Sequence, residues 1–75
     1  MSTIAEKLAD QLAVEVIKHI EKTGDEDVVG LLSRALEDSS QTLQEAFVTS
    51  VRVQRAALRA RRMLVERARS MAAEG

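Results

Sequence analysis

Apolar positions along this chain recur at helical spacing in three blocks, and nowhere do they alternate with a sustained period of two. Ile4, Leu8, Leu12, Val16 and Ile20 fall every four residues, flanked by Ala5, Ala9, Ala13 and Ile17, with Lys7, Asp10, Gln11 and Lys18 opposite. This wide apolar face predicts an amphipathic helix over residues 3–22. Thr3-Ile4-Ala5-Glu6 has the spacing of a capping box, in which hydroxyl and carboxylate satisfy the free backbone donors of the first turn. Thr23-Gly24 closes the helix, because glycine takes the left-handed cap conformation without steric cost.

A second helix is expected over 25–38. Asp25, Glu26 and Asp27 crowd its start, where negative charge complements the helix dipole, and Val28, Leu31, Leu32, Ala35 and Leu36 form its inner face. The weak point is Ser39-Ser40, since serine caps helices well and occupies their interiors poorly. A turn is expected there. The alternative is one unbroken helix, because Leu32, Ala35, Ser39, Leu43, Ala46 and Phe47 would share a face straight through it.

The third helix, over 41–73, carries two apolar stripes about a quarter-turn apart. One is Phe47, Val51, Leu58 and Val65; the other is Ala46, Val53, Ala57, Ala60, Leu64 and Met71, in coiled-coil-like steps of three and four. One stripe suffices to seat a helix on its own bundle. Two suggest that it serves its own bundle and a neighbour. At roughly 1.5 Å per residue this helix also outruns the first by about 15–20 Å.

The class is therefore all-α: a small bundle of two to three helices in a single domain, 1–75, with a long C-terminal helix. Composition bears on what completes it. Seventy-five residues give a marginal core, usually supplemented by disulfides, a metal or association. There is no cysteine and one histidine, which removes disulfides and makes a zinc site unexpected; no cofactor or metal is expected. Association remains, and a homodimer is expected through Phe47, Val51, Val53, Ala57, Leu58, Ala60 and Leu64. No stretch is apolar for long enough to span a membrane, and no signal-peptide layout opens the chain, so a cytoplasmic protein is the expectation.

Charge is the other conspicuous pattern. Residues 1–45 hold four basic and ten acidic side chains, net −6; residues 46–75 hold seven arginines and two glutamates, net +5. All seven basic residues of the second segment are Arg, which suits forked pairing with carboxylate or phosphate. Arg52, Arg55, Arg59, Arg62 and Arg69 fall on one helix face, and the first three have no acid three or four residues away. Such a row reads as a solvated face, as a partner for an acidic helix (Glu6, Asp10 and Glu21 offer one), or as a phosphate-binding stripe. The last reading makes a nucleic-acid-binding dimer the alternative function. A sequence pI near 5.8 and a single aromatic, Phe47, weigh against it.

Gln54 and Arg61 lie between the two stripes, where a polar group either snorkels to water or sets the register of an interface. His19 stands four residues after Glu15 but lacks the further carboxylates of a helical metal site. Asp25-Glu26-Asp27-Val28-Val29-Gly30 resembles the opening of a calcium loop, yet Val29 and Leu36 occupy positions that must supply oxygen. No nucleophile–base arrangement and no glycine-rich phosphate loop is visible. The expected function is thus non-enzymatic: a helical oligomerisation or protein-interaction module such as an adaptor, small chaperone or assembly factor.

Overall fold

The computed structural model describes residues 3–74 and is all-helical: α1 Ile4–Thr23, α2 Asp27–Ser39 and α3 Gln41–Glu74. α1 begins where the Thr3 hydroxyl accepts the Glu6 amide at 3.1 Å and donates to the Glu6 carboxylate at 3.2 Å. It ends at Gly24, whose φ of 76° brings its N–H to Ile20 O at 2.7 Å. The Thr23 hydroxyl braces the turn, donating to His19 O and accepting from Asp25 N.

Ser40 alone separates α2 from α3. Its extended backbone (φ −159°) stops α2, its N–H returns to Leu36 O at 2.7 Å, and its hydroxyl accepts from Leu43 N at 3.1 Å. One serine therefore closes one helix and caps the next. The unbroken-helix alternative does not occur.

The three helices run up, down and up. Ser50 and Gln54 of α3 reach Asp10 of α1, and further along Arg62 reaches Glu21, so α1 and α3 are parallel. Arg55 meets Glu26 and Gln44 meets Ser33, so α2 is antiparallel to α3. α1 and α2 touch each other little. The core is the seam between α1 and α3: Ala9, Ala13, Val16, Ile17 and Ile20 against Phe47 and Val51, with Phe47 fully enclosed. Val28, Leu32 and Leu36 of α2 pack on its flank.

The outcome is a thin plate, 55 × 32 × 13 Å, with a radius of gyration of 15.6 Å. A compact chain of this length would have a radius near 11 Å. Every residue of α3 from Arg59 to Glu74 is exposed, and beyond Arg62, which meets Glu21 near the end of α1, neither α1 nor α2 is long enough to reach it.

Candidate helix-docking face

The two stripes of α3 have different fates. Phe47 and Val51 of the first stripe are buried under α1, and Leu58 is half-buried. The second stripe is half-buried at Ala46 and open from Val53 onward. Val53 is 62% exposed and Leu64 69%, and Ala57, Ala60 and Met71 are exposed as well. The quarter-turn between the stripes explains the division: α1 can fill only one side of α3, and α2 approaches from the other flank.

Beside the open stripe runs a groove between α1 and α3. Its two stretches, of about 680 and 590 Å³, share Val14 and Gln54, and no α2 residue lines either. The first stretch is floored by Ala5, Ala46, Thr49 and Val53, the second by Val14, Ile17, Ala57 and Leu58. Small and apolar side chains thus line the floor, with charged groups on the rim.

Polar contacts hold the groove walls in register. Buried Ser50 donates to Asp10 Oδ1, while Gln54 Nε2 donates to Ser50 Oγ at 3.0 Å and to Asp10 O at 3.2 Å. Gln54, expected to snorkel or to set a register, therefore ties α3 to its own α1. Arg61 lines the second stretch of the groove, and among the described residues it forms no ion pair.

The arginine row is largely occupied within the chain. Arg55 grips Glu26 with two hydrogen bonds at 2.9 and 3.0 Å, Arg62 reaches Glu21 at 3.0 Å, and Arg69 reaches Glu66 at 3.3 Å. Arg52 and Arg59 form no ion pair among the described residues. The hydrogen bonding to Glu26 raises the Arg55 pKa above its ordinary value; slight burial opposes this, and the charges of Glu26 and Glu21 add to it.

No family model, curated protein or solved structure matches this chain.

Of the acids read as a row for the arginines, Glu21 takes Arg62, whereas Asp10 takes Ser50 and Glu6 stays with Thr3. The strongest pairing uses Glu26, which the sequence placed only at the start of a helix. Glu26 caps α2 by position but makes no side-chain cap bond, which leaves its carboxylate free for Arg55. Nothing in local spacing marks that contact, since 29 residues separate the partners. His19 meets Asp25 at 3.0 Å rather than Glu15. Among the described residues no three His, Asp or Glu side chains gather into a metal site, and no helix is long and apolar enough to cross a membrane.

Proposed function

We propose that this chain is a non-enzymatic helical oligomerisation and protein-interaction module, of the adaptor, small-chaperone or assembly-factor kind, that docks helix on helix across the open face of α1 and α3. The observation that carries the reading is the second stripe of α3. Val53, Ala57, Ala60 and Leu64 repeat at interface spacing, yet the chain's own helices leave them in water. Burying side chains such as Val53 and Leu64 is worth about 1.5–3 kcal/mol each relative to exposure. A partner helix laid in the groove would recover that energy and add the missing second layer. Arg52 and Arg59 remain available to an acidic partner.

Nucleic-acid binding by the arginine row is the weaker reading. Arg55, Arg62 and Arg69 are already held by carboxylates, which among the described residues leaves two cations of the row without an ion pair and a salt slope no steeper than about −2.

The test is Val53→Ser combined with Leu64→Ser. Both side chains are exposed, so helicity of the single chain should persist. Light scattering should give a mass above 8.3 kDa for the parent and 8.3 kDa for the variant. Equal masses for the two would refute the reading. Micromolar binding to generic duplex at low salt, unaffected by the variant, would favour the alternative.

A further inference from the structure

Charge changes sign along the groove. Glu6, Asp10 and Glu45 rim the end near Thr3; Lys18, Lys22 and Arg61 rim the other, where Glu21 is already engaged by Arg62. Two copies stacked in the same direction would oppose like charges at both ends. Turned end for end about a two-fold axis, acid meets base at both ends.

We propose that the occupant of this groove is a second copy of the chain, antiparallel, with the two-fold axis crossing α3 midway between Val53 and Ala57. The proposal rests on the helix-docking reading and specifies its partner and register. Side-chain size supports it independently of charge. Ala46 to Ala57 is the same interval, eleven residues, as Val53 to Leu64. A single antiparallel register therefore places Val53 of one copy on Ala57 of the other, and Leu64 on Ala46. Each bulky residue meets a small one, as knobs-into-holes packing requires. Glu45 comes within about half a turn of Arg67 in the same register. A same-direction pairing instead sets Leu64 on Leu64 and Glu45 on Glu45.

The geometry also accounts for the overhang of α3. Beyond Arg62 the helix has no cover in its own chain, and the antiparallel register lays residues 57–68 along the Thr42–Val53 floor of the other copy. The overlap from residue 42 to 68 is about 39 Å long and two helices, roughly 20 Å, wide. That is about 800 Å² on each copy, the size of a standard specific interface. Two plates 13 Å thick become a two-layer bundle with α1 and α3 of each copy at its centre.

The chain has no cysteine, so single-cysteine spin labels carry no background. Ala56→Cys lies near the axis and Ala72→Cys near the end of α3; both positions are exposed, and circular dichroism checks that each variant folds. Electron-spin distance measurement should give a short 56–56 separation, below about 25 Å, and a 72–72 separation of about 50 Å, from 17 residues on each side of the axis. A dimer with both separations short overturns the antiparallel register while leaving helix docking in place. A single-copy mass with no coupling at either label overturns the second copy as occupant, and the self-association reading with it.

Discussion

Arg55 and Glu26 are joined by two parallel hydrogen bonds, Nη1 to Oε1 at 2.9 Å and Nη2 to Oε2 at 3.0 Å, which fasten the start of α2 to the middle of α3. This fork is the main polar clamp on α2, a helix that buries no residue fully. Both side chains are substantially exposed, 42% and 60%, so water and salt screen the pair. A double-mutant cycle of Arg55→Ala and Glu26→Ala should show a coupling of about 0.5–1 kcal/mol that shrinks with added salt. The raised Arg55 pKa concerns a cation, so its contribution is complete below the unfolded value and is lost only as pH climbs through the folded one. Arg55 should therefore add no pH dependence around neutrality. Zero coupling at low salt would show that the fork is incidental.

Reversing charge separates the row by role. Arg55→Glu faces Glu26 with a second carboxylate and should lower the thermal midpoint. Arg59→Glu, which breaks no ion pair among the described residues, should leave it nearly unchanged. Equal effects from the two substitutions would contradict the division of the row into structural and free arginines.

Among the described residues Phe47 is the one large side chain with no measurable exposure, enclosed in the core between α1 and α3 with α2 on its flank. Phe47→Ala should cost about 3–5 kcal/mol in urea unfolding, enough to unfold a domain of this size. Val53→Ser, on the open stripe, should cost the isolated chain far less. A comparable loss at both positions would mean that the two stripes are not distinct.

Gly24 has φ +76°, and a Cβ built there meets nothing within 4 Å. Gly24→Ala should therefore destabilise by about 1–2 kcal/mol through backbone strain alone, and Gly24→Asn by less. Thermal melts of the two variants check the order.

The all-α class was legible because helical spacing recurs without proline or alternation, and the Ser39-Ser40 interruption showed for a chemical reason: serine caps. The two stripes of α3 were legible too, as positions 46, 53, 57, 60 and 64 beside 47, 51 and 58. Periodicity could not say which stripe α1 would fill. That depends on how parallel α1 seats its alanines Ala9 and Ala13 against Phe47, a contact between residues far apart in sequence. Glu26–Arg55 and Asp10–Ser50–Gln54 were hidden for the same reason, since they arise only when distant helices meet.

The most direct test of the central claim is amide hydrogen exchange along α3 across a protein concentration series. In a single copy, residues 63–74 lie beyond the Arg62–Glu21 contact as a helix with nothing packed against it and should exchange within a small factor of an isolated peptide. If a second copy covers the open face, protection at residues 60–68 should rise with concentration, while amides around Phe47 are protected throughout. Fast exchange in the 60–68 stretch at every concentration would contradict the account.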